Sequence, residues 1–314
     1  MEDIERAQTR LDNIRTVEPI LGALRTISLG SWRTALGRGD DVRRYAERLM
    51  AMLPPLLSHI RPSPLRRRLL AGWRSRRKTP PSPARIAVLV IGSERGLCGG
   101  FNTTVVGRAE RYLAELSVSG AQVELMALGT RVARLFRRYR RSLAWSGALS
   151  VTALPTYRLA LDLTRQWLAR YEEYDLDVVD LIYNAYRGTA RYAPAVMRLI
   201  PPQLPSAGQV TGRSPDERGP STELWPPPII ETDPLSLYAR VVEQWIAVSL
   251  YGLLLESAAA EHSARFQLLE GATQNAERLI AELTLAVQAA RKQAITREMQ
   301  DLAAGAGLIG TRPE

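Results

Sequence analysis

Several features are scarce in this 314-residue sequence, and each scarcity excludes a class of protein. The single cysteine, Cys98, excludes an internal disulfide framework. The only histidines, His59 and His262, lie far apart, so a cysteine/histidine zinc site is not expected. No apolar run reaches the roughly 18 residues that a membrane-spanning helix needs, and the acidic N-terminus is unlike a secretory signal. The sequence therefore predicts a soluble protein of a reducing compartment.

The charge of the chain is basic but unevenly placed. There are 42 Lys and Arg against 32 Asp and Glu, a formal net charge of +10. Nearly all of the excess lies in residues 61–85, which contain nine basic and no acidic side chains. For residues 66–78, which include Trp73, three interpretations stay open: a nucleic-acid contact, a contact with membrane headgroups or an acidic partner, and a solvated run. Nucleic-acid binding is therefore a question about one short stretch.

The first 60 residues carry the heptad pattern of a long helix. Apolar or small residues recur at alternating spacings of three and four. The predicted seam consists of Ile14, Val17, Leu21, Leu24, Ser28, Ser31, Ala35, Val42, Tyr45, Leu49, Met52 and Leu56. We expect this helix to end at Pro54-Pro55 or shortly after, and Pro19 to kink it or to mark a break near its start.

Residues 234–306 carry a stronger heptad pattern that no internal proline interrupts. Its core positions include Tyr238, Val241, Val248, Leu255, Ala259, His262, Leu269, Thr273, Ala276, Leu283 and Val287. At 1.5 Å per residue the helix would be roughly 105 Å long, so it must project and pair with the N-terminal helix. Ala258, Ala260, Ala286 and Ala289 lie off this seam, so we expect something else to enclose the outer face.

Between the two helical segments the pattern changes to strands alternating with helices. Strands are expected at 86–91, 123–128, 178–183 and 195–200, and helices at 102–116, 130–139 and 157–171. This alternation is typical of an α/β domain with a largely parallel sheet. The fold class is thus a Rossmann-like α/β domain inserted into a long antiparallel coiled coil of the N- and C-terminal helices.

Six segments follow from these patterns. They are an N-terminal coiled-coil helix over 1–60, a basic proline-rich linker over 61–84, the α/β domain over 85–200, a proline-rich loop over 201–233, a C-terminal coiled-coil helix over 234–306 and a tail over 307–314.

The glycine-rich segment 92–102 follows the first predicted strand and precedes a helix. That position suggests a phosphate-binding turn. The spacing is not GxGxxG, however, and no acidic residue ends the second strand. We favour a tight strand-to-helix connection in which Gly96, Gly99 and Gly100 form a structural turn.

Other candidate chemical groups are better explained as structural. Cys98 at a helix N-terminus could be a thiolate nucleophile, but no histidine lies near it in sequence. His262 falls on the helical seam, where a buried or partner-facing histidine is the default. The pairs Glu172-Glu173 and Asp175/Asp177 allow a glycosidase-like dyad, although a solvated loop is favoured. No catalytic, cofactor-binding or metal-binding residue is predicted.

The end of the C-terminal helix carries a different set of groups. Polar side chains stand there on an alanine-rich helix: Arg291, Lys292, Thr296, Arg297 and Glu298. Such groups at the tip of a projecting helix suit contact with an enclosing partner. A fraying, solvated terminus is the alternative.

Two motifs in this order resemble the gamma subunit of the F-type ATP synthase. One is Ser93-Glu-Arg-Gly-Leu-Cys-Gly-Gly-Phe-Asn102, and the other is the stretch from Ala289 to Ala306, which is similar to the family signature Ile-Thr-x-Glu-x-x-Asp/Glu followed by Gly-Ala. The resemblance implies a rotating central shaft that couples ion-driven rotation of the membrane ring to the catalytic sites of a surrounding hexamer. It implies no catalytic residues, cofactor or small-molecule substrate of its own.

The resemblance also implies partners and a location. The partners would be the alpha and beta subunits of the hexamer, the epsilon subunit and the membrane c-ring, at the cytoplasmic face of the cell membrane. Arg291, Thr296 and Glu298 match family positions that contact the catalytic ring.

The sequence departs from the family pattern at a few positions. Lys292 stands where the family usually has glutamine, Gly22 and Ser31 replace lysines, and Leu24 replaces a methionine. These departures leave room for a divergent paralogue of the rotor in a non-standard complex. A small-molecule enzyme built on the α/β domain and a nucleic-acid-binding coiled-coil protein are the further alternatives.

Overall fold

The computed structural model describes residues 2–59, 84–201 and 229–306. The predicted basic linker, most of the proline-rich loop and the predicted tail lie outside these described residues. The chain divides into two compact units. We call residues 1–29 with 265–314 the terminal unit, and residues 30–264 the central unit.

Two long helices begin and end the described chain. Helix α1 is Glu2–His59, and the last helix, α5, is Pro234–Gly305. Within the described residues, no helix is both long and apolar enough to cross a bilayer. Helix α1 runs through Pro19 without a break, contrary to one of the two outcomes expected there. One proline removes a single helical hydrogen bond, and buried Leu11 and Ser28 anchor the helix on either side.

In the terminal unit the two helices pair in opposite directions. The Arg291 guanidinium donates to Gln8 Oε1 at 3.0 Å, and Arg15 donates to Thr284 Oγ1 at 3.4 Å. Arg25 forms an ion pair with Glu270 at 2.9 Å. Later residues of α5 thus meet earlier residues of α1, as an antiparallel coiled coil requires. The buried residues of the pair are mostly small or aliphatic: Leu11, Ser28, Leu269, Thr273, Ala276 and Val287.

The buried stripe of α1 departs from the predicted seam at three positions. Val17, Tyr45 and Met52 are exposed, whereas Leu11 and Leu53 are buried in their place. An α-helix has 3.6 residues per turn and a heptad repeat assumes 3.5, so the buried stripe drifts around a straight helix over several heptads. The predicted seam of α5 agrees better with the observed burial. Its buried members are Tyr238, Val241, Val248, Leu255, Ala259, Leu269, Thr273, Ala276 and Val287.

The central unit contains a five-stranded sheet with the order β3-β2-β1-β4-β5. In chain order the elements are β1 (Arg85–Ile91), α2 (Phe101–Val118), β2 (Gln122–Leu128), α3 (Thr130–Arg138), β3 (Trp145–Gly147), α4 (Tyr157–Glu172), β4 (Val178–Gly188) and β5 (Arg191–Ile200). Strands β1 to β4 are parallel to one another, and β5 is antiparallel to β4. The predicted α/β class and the largely parallel sheet are confirmed.

Two parts of the sheet were not predicted from sequence. Strand β3 has only three residues, too few to show a periodic pattern. Strands β4 and β5 extend into a hairpin that continues beyond the predicted residue 183 and begins before the predicted residue 195. The extension is stabilised by pairing between the two strands, which the residues of either strand alone do not reveal.

Helices cover both faces of the sheet. Helices α2 and α3 pack on one face through Val105, Val106, Val132 and Phe136. On the other face lie α4 and the first half of α5, with Leu163, Trp167, Ile246, Leu250 and Leu254 in the core. The sheet side therefore encloses part of the outer face of α5. Ala258 and Ala260 are buried as expected, whereas Ala286 and Ala289 are exposed.

Candidate functional site

The segment between β1 and α2 closes tightly on itself. The Ser93 backbone N–H donates to Asn102 Oδ1 at 2.9 Å, and the Asn102 amide donates to Ser93 Oγ at 2.8 Å. The Ser93 hydroxyl in turn donates to the carbonyl of Arg95 at 2.7 Å. Ser93 and Asn102 are both buried. The polar groups of the turn are therefore satisfied by each other.

The three glycines predicted for the turn occupy different environments. Gly99 has a φ of 58°, in the left-handed region that glycine adopts without strain. Gly100 is the N-cap of α2. Gly96 lies beneath the Arg131 guanidinium, and a Cβ added at Gly96 would be 3.3 Å from Arg131 Nη2.

The glycine with the least space is Gly92, which the predicted structural turn did not include. A Cβ there would lie 1.9 Å from Cγ2 of Val132. Its place directly at the end of a buried strand was the available signal.

Glu94, in the turn after β1, binds the N-terminus of α3. Its carboxylate accepts hydrogen bonds from the backbone N–H of Thr130 at 3.1 Å, from the Thr130 hydroxyl, and from the N–H of Leu149 at 3.0 Å. Burial raises the pKa of Glu94, but these hydrogen bonds and the charge of Arg134 outweigh it, so the pKa lies below its ordinary value. The N-terminus of α3 is thus occupied by a carboxylate of its own chain. Sequence reasoning did not single out Glu94.

Cys98 is buried within the turn. Its Sγ is 3.6 Å from Ser93 Oγ and 3.6 Å from Asn102 Nδ2, and the side chain packs with Phe101 and Ala260. In the part of the chain that the structure describes, no three His, Cys, Asp or Glu side chains group as metal ligands.

The predicted acidic pairs are only partly solvated. Asp175 accepts hydrogen bonds from Arg170 Nε at 2.6 Å and from Arg85 Nη1 at 2.7 Å, and Arg170 holds its pKa below the ordinary value. Asp177 accepts the backbone N–H of Arg85 at 2.9 Å. These two carboxylates therefore join β1 to the loop before β4. Glu172 and Glu173 are exposed.

The five predicted contact residues lie on the last turns of α5, and all are exposed: Arg291, Lys292, Thr296, Arg297 and Glu298. Arg291 reaches back to Gln8, and the Thr296 hydroxyl donates to the carbonyl of Lys292 at 2.8 Å. His262 is half-buried on α5, and His59 lies in the last turn of α1 with Nδ1 2.8 Å from the Pro55 carbonyl oxygen.

An apolar stripe accompanies these polar groups. Ile295, Met299 and Leu302 are all more than half exposed, at 57%, 66% and 73%. Their spacing of four and three places them on one side of α5. Sequence reasoning missed the stripe, although the spacing is visible in the sequence. An exposed helical stripe of this kind suits docking against an apolar surface.

Comparison with known proteins gives a consistent result over the whole chain. A family model described as ATP synthase matches residues 3–307. The ATP synthase gamma chain of Granulibacter bethesdensis is 30% identical over 308 residues, which cover 98% of this chain and 99% of the relative. That of Rubrobacter xylanophilus is 31% identical over 306 residues, which cover 98% of both chains.

Two solved structures share the fold. A chain of the Euglena gracilis mitochondrial ATP synthase OSCP/F1/c-ring structure has a TM-score of 0.57 and 16% identity, covering 100% of this chain and 98% of that one. A chain of the Tetrahymena thermophila mitochondrial ATP synthase central stalk/c-ring structure has a TM-score of 0.51 and 18% identity, covering 81% and 99%. At these identities the likeness is one of fold.

Proposed function

The chain belongs to the ATP synthase gamma-chain family and is a central-stalk subunit, and from this premise we propose how it acts on its neighbours. The end of α5, with Arg291, Lys292, Thr296, Arg297 and Glu298, contacts a surrounding ring of alpha and beta subunits. The observation that carries this proposal is the exposed apolar stripe of Ile295, Met299 and Leu302 beside those polar groups. Apolar side chains left in water at a helix end favour a partner that covers them.

The proposed mechanism is differential contact during rotation. A pair of unlike helices has no threefold symmetry, so each catalytic subunit of a ring would meet a different face of the stalk. A difference of about 5.5 kcal/mol between two subunit states changes their ratio from 1:99 to 99:1. Charged groups at the tip supply contacts that depend on angle, and small or apolar groups between them let the surfaces slide.

The chain itself is proposed to be non-catalytic, with the chemistry of the complex performed by its partners. Three features support this. The Glu94 carboxylate binds the N-terminus of α3, Cys98 is buried, and the carboxylates of Asp175 and Asp177 are paired with Arg85 or its backbone.

The remaining partners are proposed from family membership. They are the epsilon subunit and the membrane c-ring, at the cytoplasmic face of the membrane. The contacts would be made by the α/β segment 85–200 and by the parts of both long helices nearest the membrane. The segment boundaries 1–60, 61–84, 201–233, 234–306 and 307–314 belong to the same proposal. Gly96, Gly99 and Gly100 are proposed to act only in the turn.

The experiment that tests the proposal uses the chain assembled with its ring subunits and membrane sector. In one variant, Ile295, Met299 and Leu302 are changed to Ser, and in a second Arg291, Thr296 and Glu298 are changed to Ala. We expect ion-driven ATP synthesis to fall at least tenfold in both, because fewer contacts transmit torque.

The matched control changes the exposed residues Arg278, Glu282 and Leu285 of the same helix to Ala, Ala and Ser. It should lose less than twofold. Normal synthesis in both tip variants, or an equal loss in the control, contradicts the proposed role of the tip. Failure of the chain to assemble with a nucleotide-binding ring contradicts the proposed partners.

A further inference from the structure

All the glycines of helix α1 lie within one short stretch. They are Gly22, Gly30, Gly37 and Gly39, and we call residues 22–39 the glycine segment. Apart from the backbone of the helix itself, a Cβ added at any of them would meet no described atom within 4 Å. Packing therefore does not require glycine at these positions. Each glycine lowers the helix-forming equilibrium about fivefold relative to alanine, so the sequence weakens this part of α1 without a structural need.

Hydroxyl groups add a second cause of weakness to the glycine segment. Thr26 Oγ1 donates to the Gly22 carbonyl at 3.1 Å, and Thr34 Oγ1 donates to the Gly30 carbonyl at 2.9 Å. A hydroxyl that bonds back to the carbonyl four residues earlier slightly destabilises a helix and often bends it. In both cases here the accepting carbonyl belongs to a glycine. The two local causes of a weak helix thus act at the same turns.

Tertiary packing compensates little for this weakness. In the described part of α1, Ser28 and Ala35 are the only buried residues between Leu11 and Leu49. Their side chains are small and therefore bury little apolar surface. Near the end of α1, by contrast, Leu49 and Leu53 are buried in a hydrophobic cluster. A stretch with few buried apolar contacts opens locally at a lower cost in free energy than a well-packed one.

The stretch of α5 that accompanies the glycine segment is built differently. In the terminal unit Arg25 pairs with Glu270 at 2.9 Å, and in the central unit Val42 Cγ1 lies 3.4 Å from a Cβ added at Gly252. Between these two positions of α5, residues 253–264 contain three leucines, four alanines and no glycine or proline. Seven of these twelve residues are buried. Strong helix formers and burial both keep α5 continuous here.

The division between the two compact units also falls inside the glycine segment. The first part of the terminal unit ends at Leu29, and the central unit begins at Gly30, so no single compact unit holds the whole segment. We propose that α1 is compliant at the glycine segment: its backbone hydrogen bonds open and re-form there while α5 stays helical. The exposed tip belongs to α5, so the tip keeps its support while α1 yields. This inference goes beyond the proposed contacts of the tip and does not depend on them.

The experiment measures hydrogen–deuterium exchange of the purified full-length chain by mass spectrometry. Each exchange rate is divided by the intrinsic rate of the same amide, which gives the local opening equilibrium. In the wild type, we expect residues 22–39 to exchange at least about tenfold faster than residues 46–56 of α1 and residues 253–264 of α5, because only the latter two stretches combine good helix formers with burial.

Variants then test the glycines directly. In G22A/G30A/G37A/G39A, an opening that spans two of the glycines becomes about 25-fold rarer, so exchange in the segment should slow by at least about tenfold. Ala23 is exposed within the segment, and Ala23→Gly should speed exchange there about fivefold. Gly107→Ala makes the same kind of change on α2, where an added Cβ also has open space. This control should change exchange in the glycine segment less than twofold. Circular dichroism establishes that each variant is folded.

Several results would overturn the inference. Equal exchange in residues 22–39 and 46–56 of the wild type would do so, as would unchanged exchange in the folded fourfold variant. Slowing in the Gly107 control as large as in that variant would assign the effect to global stability. Exchange of residues 253–264 in step with the glycine segment would show that both helices open together. None of these results bears on assembly with the catalytic ring, so the stalk role is tested separately.

Discussion

At the scale of single residues, the tightest packing occurs where the ends of β1 and β2 meet. Gly92 and Gly129 follow β1 and β2, and the N–H of Gly92 donates to the Leu128 carbonyl at 2.8 Å. An added Cβ at Gly129 would lie 2.8 Å from the Gly92 carbonyl oxygen, and Gly129 has a φ of 105°. The close approach positions Ser93 and Glu94, which hold the turn and the start of α3. The two strand ends can therefore pack this closely only because both residues are glycines.

Gly92→Ala should destabilise the chain. The new Cβ would overlap Val132 Cγ2 and approach Asn102 Oδ1 to 2.8 Å, so strands, helix and turn would have to shift. We expect the free energy of unfolding, measured by urea denaturation, to fall by about 1–3 kcal/mol. Gly107→Ala is the matched control, because no atom lies within 4 Å of its added Cβ on α2. It should raise the unfolding free energy by about 0.5–1 kcal/mol. Equal changes in the two variants would contradict this account.

At the scale of elements, α5 is packed in two ways along its length. In the central unit, its first half lies on the sheet, with Ile246 and Leu254 fully buried. In the terminal unit it pairs with α1, and only a narrow stripe of its described residues is buried. The stripe contains a polar atom without compensation. Thr273 Oγ1 is buried and has no hydrogen-bond partner within the described residues.

Thr273→Val should therefore stabilise the helix pair. The substitution keeps the shape of the side chain and removes a hydroxyl that is buried without a partner. We expect the free energy of unfolding to rise by about 1 kcal/mol, observed as a higher midpoint in urea.

Thr284→Val is the comparison, since that hydroxyl donates to the Ile280 carbonyl at 2.6 Å and accepts from Arg15. It should give no gain. A loss of stability at Thr273 would show that its hydroxyl has a partner after all.

At the scale of the whole molecule, buried and half-buried tyrosines couple stability to alkaline pH. Burial and the neighbouring carboxylate of Asp180 raise the pKa of Tyr112 to about 12, and burial raises that of Tyr238 to about 12. Burial and Glu256 raise the pKa of Tyr183 above its ordinary value. In the unfolded chain these groups lose their protons near pH 10. Their contribution is thus complete below pH 10 and is lost as the pH rises through the folded pKa values.

The unfolding free energy should accordingly fall between pH 10 and pH 12. Tyr112→Phe removes one of these titrating groups, so the fall should become shallower. The difference should be only on the order of 1 kcal/mol, because the ring is partly exposed and solvent screens its interaction with the carboxylate. Urea denaturation at pH 9 and pH 12 measures the difference. The same variant should be less stable at pH 9, since the Tyr112 hydroxyl donates to Asp180 at 2.6 Å. An identical slope in the variant would contradict the assignment to Tyr112.

The sequence by itself determined the elements whose signal is local. Heptad spacing predicted both long helices, and a continuous apolar run predicted β1 nearly to the residue. Strand β2 was also predicted nearly to the residue, from a mainly apolar run. The sequence also located the turn after β1 and the polar end of α5. Family motifs supplied the stalk assignment, since two separate signatures occur in order.

Only the tertiary structure decided the features that depend on distant neighbours. Val132 leaves no space for a side chain at Gly92. Glu94 caps α3 because it accepts hydrogen bonds from Thr130 and Leu149. Pairing with β4 makes β5 longer than its own residues predict. The drift of the α1 stripe from Val17 toward neighbouring positions depends on where α5 lies against it. Each of these follows from contacts between residues far apart in the chain, and local periodicity carries no information about such contacts.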